Sequence, residues 1–170
     1  MTAGAGPVRV RRNRLRPEVV CLVVRIRSNR DAGVAHVTEG LAQIPLFSTV
    51  SGADLRRLAQ EGRLRRYSEG EVVLREGAPG CVFFVLLAGS AAVSREGAPV
   101  RALNAGDSFG EIAALRGGDR TATVVAATDL ECLALTSWVL HGFLRTHAPV
   151  AAYLTRQVAR LLRWESARSD

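Results

Sequence analysis

Asp107-Ser108-Phe109-Gly110-Glu111-Ile112-Ala113-Ala114-Leu115, followed directly by Arg116-Gly117-Gly118-Asp119-Arg120-Thr121-Ala122, is the stretch on which the reading of this 170-residue chain turns. A strand ends at Phe109, and Gly110 lets the backbone approach a neighbour closely. Residues 111–115 are strong helix formers. A short helix opening at Glu111 aims its unpaired N–H groups at the space in front of it, which suits an anion. Arg120 follows nine residues after Glu111, across the Gly117-Gly118 turn. A guanidinium returned to that space pairs with a phosphate in a fork, and a carboxylate beside it accepts from a sugar hydroxyl. Phosphate and ribose readers on one short element point to a nucleotide. Spacing alone leaves open a structural ion pair between Glu111 and Arg120, which contributes roughly 0–1 kcal/mol when partly exposed.

Working outward, short β-like runs alternate with turn residues on both sides of this stretch. Glu71–Arg75 precedes Gly77-Ala78-Pro79-Gly80, and Val82–Leu87 precedes Ala88-Gly89-Ser90. Ala91–Ser94 leads into Glu96-Gly97, and Val100–Leu103 into Asn104-Ala105-Gly106-Asp107. Thr121–Ala127 and Leu130–Leu135 flank the Thr128-Asp129 turn. Strands of this length between glycine turns predict an antiparallel sandwich or roll. Helical periodicity brackets them. Ser51 is placed to cap a helix carrying Leu55, Leu58 and Ala59 on one face. Thr136 or Ser137 is placed to cap another, with Trp138, Leu140 and Leu144. Pro149 suits the first turn of a last helix, which gathers Val150, Leu154, Val158, Leu161 and Leu162 on one side and Arg156, Arg160 and Arg163 on another. The predicted order is helix, about eight strands, helix, long helix.

The Phe-Gly-Glu run, its apolar helical turn, the glycine loop and Arg120-Thr121-Ala122 closely resemble the phosphate-binding cassette of the cyclic-nucleotide-binding domain family. Tyr67-Ser68-Glu69-Gly70-Glu71, Glu76-Gly77, Phe83–Leu87 with Gly89-Ser90, and Ala105-Gly106-Asp107 agree with the family's turns and core strands. The resemblance spans about residues 44–164. It implies a mainly β fold with flanking helices: an eight-stranded antiparallel β-roll, jelly-roll-like (a double-stranded β-helix), with an N-terminal helix, a short phosphate-binding helix and two C-terminal helices. It also implies a ligand, cAMP or cGMP, held by Phe109, Gly110, Glu111, Ile112, Ala113, Ala114, Arg120, Thr121 and Ala122. In that scheme Glu111 accepts from the ribose 2′-hydroxyl and Arg120 binds the exocyclic phosphate oxygens. The Ala113 and Ala114 N–H groups hold the same phosphate, Gly110 leaves room for the sugar, and Thr121 reaches phosphate or a guanine amino group. A base lid comes from the last helix, with Tyr153, Thr155, Gln157 and Trp164 as candidates. Asp119 departs from the family pattern, which often has proline before the arginine.

Composition bounds the rest. Apolar residues make up 48% of the chain, enough for a core, and no run approaches the roughly 20 apolar residues a membrane span requires. Val19–Val24 is the nearest, and Arg25 ends it. The Arg11-Arg12 pair lacks the apolar length and cleavage site of an export signal, so a cytoplasmic location is expected. Cys21, Cys81 and Cys132 are odd in number and widely spaced, which argues against a disulfide framework or metal spacing and for reduced, partly buried thiols. His36, His141 and His147 are not clustered as metal ligands would be, and the two tryptophans, Trp138 and Trp164, read as packing residues. The net charge is +7, yet residues 1–40 hold 8 arginines against Glu18, Asp31 and Glu39. The basic character therefore sits mostly in an N-terminal segment, 1–40, expected to be a disordered leader or sequence upstream of a start at Val34 or Val37, the alternative being a basic arm that touches nucleic acid or an acidic membrane surface. Residues 41–170 are expected to form the domain.

No nucleophile with its base, metal cluster or P-loop appears. The expectation is a non-enzymatic sensor that signals through movement of its C-terminal helix, through which it pairs with a second copy or docks a partner protein. The alternatives are a DNA-binding regulator of the catabolite-activator type, disfavoured because the chain stops at Asp170 close to that helix, and a ligand-free interaction module of the same fold.

Overall fold

The structure, a computed structural model, describes residues 30–166. It opens with α1 (Arg30–Ala42), a 3-10 turn (Pro45–Phe47) and α2 (Gly52–Glu61). Six strands follow: β1 (Arg63–Tyr67), β2 (Val72–Leu74), β3 (Val82–Ala88), β4 (Ser90–Arg95), β5 (Ala98–Asn104) and β6 (Ser108–Phe109). A short helix α3 (Glu111–Arg116) interrupts them before β7 (Thr123–Ala126) and β8 (Leu130–Thr136). Helices α4 (Ser137–Thr146) and α5 (Ala148–Ser166) complete the described chain. The strands form two four-stranded sheets, ordered β1-β8-β3-β6 and β2-β7-β4-β5, with every pairing antiparallel. This is the expected roll with flanking helices.

The continuous apolar run of β3 follows from burial on both faces. Phe83 and Val85 pack with α2, α4 and α5 residues such as Leu55, Leu58, Leu140, Val150 and Leu154. Phe84 and Leu86, one residue out of phase, enter the space between the sheets with Leu103, Phe109, Val124 and Cys132. β8 divides the same way, Leu133 and Leu135 toward the helices and Cys132 and Ala134 inward. Each Leu or Phe fully buried in this manner contributes about 1.5–3 kcal/mol. Burial pushes the Cys132 thiol up to about 12, so it is a core group of low reactivity.

The helix starts are set locally. Ser51 Oγ accepts from Asp54 N at 3.1 Å, and Thr136 Oγ1 from Val139 N at 3.4 Å, both as the cap residues predict. Among the described residues no helix is long and apolar enough to cross a membrane.

Two expectations are corrected, and one strand is added. The boundary expected at residue 40 falls inside α1, whose Val37 and Leu41 are 2% and 0% exposed in the helical core. Val34, Val37 and Leu41 do stand at i, i+3 and i+7, but Gly33 and Gly40 dilute the pattern. Residues 1–29, with the arginine run and Cys21, lie outside the described residues. β1, Arg63-Leu64-Arg65-Arg66-Tyr67, is a strand that its charge conceals. It is an edge strand paired only to β8 among the described residues, and Arg66 answers Glu131 at 2.7 Å. Trp138 is not a packing residue: it is 86% exposed. The side chain of Trp164 lies outside the described residues.

Candidate functional site

Among the described residues only two charged side chains are buried, Glu111 and Arg120, at 4% and 7% exposure. Removing charge from water costs several kcal/mol per ion unless it is compensated, so a fold that buries these two and leaves its other charges near solvent has concentrated that cost in one place. Both line an open cleft of about 660 Å³ between α3 and the β2-β7-β4-β5 sheet.

The approach to the cleft is fixed by β6. Phe109 pairs with Phe84 across β3 and stacks on its ring at 5.1 Å and 4°. Gly110 then turns the chain at φ 78°, the left-handed region, to start α3. A Cβ there would also lie 2.7 Å from Arg120 Nη1 and 2.9 Å from the Val82 carbonyl oxygen. Glycine is thus required twice over, by dihedral and by space.

Arg120 is held from behind. Its N–H donates to Ala78 O at 2.8 Å, and its carbonyl accepts from Gly77 N at 2.9 Å. Gly80 N donates to Gly118 O at 3.2 Å, so residues 77–80 are zipped to 118–120. The side chain then runs across Gly80, where an added Cβ would stand 2.2 Å from Nε and 2.5 Å from Cζ. Nη1 donates to Gly110 O at 3.0 Å. Asp119, the departure from the family pattern, is exposed and forms an isolated bridge with Pro79.

Burial pushes the Glu111 carboxyl above its ordinary value, while its own backbone N–H, then Arg101, then Arg120 pull it down. The cleft therefore holds a carboxylate that water does not stabilise, facing cations that do.

Of the nine expected site residues, Phe109, Gly110, Glu111, Ile112, Ala113, Arg120, Thr121 and Ala122 all line the cleft. Ala114 does not. It is buried against the helical core, and its N–H donates to Gly110 O at 3.2 Å. Of the expected lid residues, Tyr153, Thr155 and Gln157 are not among those that line the cleft, and the side chain of Trp164 lies outside the described residues. Tyr153 and Gln157 bond to each other at 2.9 Å, and Thr155 Oγ1 donates to Ala151 O. Among the described residues of α5, Leu161 is the one that lines the cleft.

Sequence reasoning passed over Gly80, read only as a turn residue, and two arginines of the cleft wall, Arg95 on β4 and Arg101 on β5. A signal for the arginines exists. Ala91, Val93 and Arg95 alternate on one face of β4, and Leu103 and Arg101 on one face of β5, so both charges occupy inward-facing positions.

Residues 64–147 match the cyclic nucleotide-binding domain family. The cAMP-dependent protein kinase regulatory subunit of Mycosarcoma maydis is 37% identical over 122 residues, a match covering 68% of this chain and 23% of that protein. The chain thus spans about a quarter of that relative's length. The regulatory domain of Toxoplasma gondii PKA, solved with cAMP, superposes with a TM-score of 0.66 at 23% identity, covering 76% of this chain and 51% of that one. The Thermus thermophilus catabolite activator protein gives 0.64 at 27% identity, over 74% and 62%.

Proposed function

Because residues 64–147 belong to the cyclic nucleotide-binding domain family, we propose that this chain is a regulatory sensor whose cleft takes cAMP or cGMP. The observation that carries the reading is the burial of Glu111 and Arg120, and of no other charged pair among the described residues, in one cleft. Arg120 supplies a fixed fork for the exocyclic phosphate oxygens, and Ala113 N–H at the start of α3 adds a neutral donor. Glu111 accepts the ribose 2′-hydroxyl. Leu74, Val93, Val100 and Val124 give the sugar and base an apolar floor.

The output is α5. Its first turns are anchored by Val150 and Leu154, each 1% exposed, while Leu161 reaches the cleft two turns later. A ligand that packs against Leu161 favours one position of the distal helix over another, and shifts the equilibrium only by that difference in affinity. Such a device binds and signals without chemistry, as expected of a cytoplasmic, non-enzymatic module. The exposed face of α5, with Arg156, Arg160 and Arg163, is where a second copy or a partner protein would sense the change.

Glu111→Gln tests the reading through two opposed effects. Loss of a hydrogen bond to a charged group costs about 1.5–3 kcal/mol, so affinity for the tighter cyclic nucleotide is expected to fall about tenfold or more. The ligand-free variant is expected to melt higher than the parent at pH 7. Glu111 is raised in the folded state, so its protonated form is favoured by folding. That stability is present below the unfolded value and lost as pH rises through the folded one. The stability gain of the variant should therefore fade as pH falls through the raised folded-state value and be gone by the ordinary carboxylate value. Unchanged affinity in calorimetry would remove Glu111 from the ligand site.

A further inference from the structure

A carboxyl group accepts a ribose hydroxyl most strongly as an anion, and Glu111 is 4% exposed. Arg120 is its obvious counter-charge, but Arg120 already donates Nη1 to Gly110 O. Under the reading above, it also faces the phosphate whenever ligand is bound. With phosphate bound, two anions face one buried guanidinium and repel each other, so a second cation beside Glu111 favours its charged form.

β5 supplies one. Arg101 stands opposite Val93 in the β4–β5 register, and both Val93 and Leu103, two residues along from Arg101, are buried in the inter-sheet core. Side chains two apart on a strand share a face, so Arg101 rises from the inner face of the roll. It lines the same cleft as Glu111. Its charge is the largest cationic influence on that carboxyl, ahead of Arg120. The residue is exposed, so its charge stays hydrated. Arg95 on β4 lines the same wall.

We propose that Arg101 is a positioning residue for the ribose contact, the counter-charge that lets Glu111 accept the 2′-hydroxyl while Arg120 is taken up by the phosphate. It acts through Glu111, and its effect falls on selection for the hydroxyl rather than on phosphate binding. The inference rests on the cyclic-nucleotide reading of this cleft.

The test is a comparison of ligand pairs on the full chain. The parent, Arg101→Gln and Arg101→Lys are each titrated with cAMP and 2′-deoxy-cAMP, and with cGMP and 2′-deoxy-cGMP, after thermal melts show that all three fold. The parent should prefer the ribose form about tenfold or more, as loss of a charged hydrogen bond implies. Arg101→Gln should cut that preference at least about threefold, and Arg101→Lys, which keeps the charge, should retain most of it. An unaltered preference in Arg101→Gln overturns the proposal, as does an equal loss of affinity for both members of a pair. So does a parent that binds cyclic nucleotides without discriminating the hydroxyl, which leaves the phosphate site standing. A parent that binds none of the four overturns the cyclic-nucleotide reading itself.

Discussion

Arg120→Ala is expected to weaken cyclic-nucleotide binding by about tenfold to a hundredfold. The estimate follows from the chemistry of the contact: a hydrogen bond to a charged group is worth about 1.5–3 kcal/mol, and each 1.4 kcal/mol is about a factor of ten. Burial favours the upper part of that range. Arg120 is 7% exposed, so its charge is little screened by water and its fork is fixed in place before ligand arrives. The position of the main chain is independent of the side chain, because Arg120 N and O are bonded to Ala78 O and Gly77 N. The variant therefore keeps its loop and loses its clamp. Calorimetry decides the matter, and an affinity within about twofold of the parent would mean that phosphate binds elsewhere.

Gly80→Ala is expected to produce nearly the same loss although Gly80 itself contacts no ligand and Arg120 is left in the sequence. The new methyl would stand 2.2 Å from Nε, 2.5 Å from Cζ and 2.7 Å from Cδ of Arg120, distances that no packed atoms tolerate. Residues 77–80 and 118–120 are bonded to one another, so the backbone is held and the guanidinium must leave. Gly80 is not among the glycines of positive φ, and alanine adopts its backbone conformation without strain, so the variant should fold. Because both changes remove one clamp, the Gly80→Ala/Arg120→Ala double variant should bind no more weakly than Arg120→Ala alone, a marked departure from additivity. Losses that add would show that Gly80 acts on the site by another route.

The two residues differ in how far the sequence announces them. Glu111 and Arg120 are legible because helix propensity, a glycine at each end and a short fixed spacing converge on one element. The apolar runs of β3 and β8 are legible for a related reason: strands buried on both faces suppress alternation altogether. Gly80 is invisible at that level. Its importance comes from what crosses over it in space, forty residues later in the chain, and a glycine in a Gly-Ala-Pro-Gly turn already has a sufficient local explanation. Arg95 and Arg101 fall between these cases, since charge at inward positions of β4 and β5 was readable once the phase of each strand was known.

The errors have physical causes as well. β1 was concealed because an edge strand needs few apolar residues, and α1 because two glycines thin its stripe. Trp138 is the opposite case: hydrophobic character predicts burial on average, yet at 86% exposure it stands on the surface of α4. Tyr153, Thr155 and Gln157 are polar residues of α5, while Leu161 is the α5 residue that lines the cleft. Which face of a helix meets a pocket depends on the packing of its anchored end, here Val150 and Leu154, and that is not a local property.

Whether the cleft bounded by Glu111 and Arg120 takes a cyclic nucleotide is decided by calorimetric titration of the full chain with cAMP, cGMP and linear 5′-AMP. Saturable binding of one cyclic nucleotide per chain, tighter than the linear monophosphate, is the predicted result. Absence of heat and of competition with either cyclic nucleotide at millimolar concentration would contradict it.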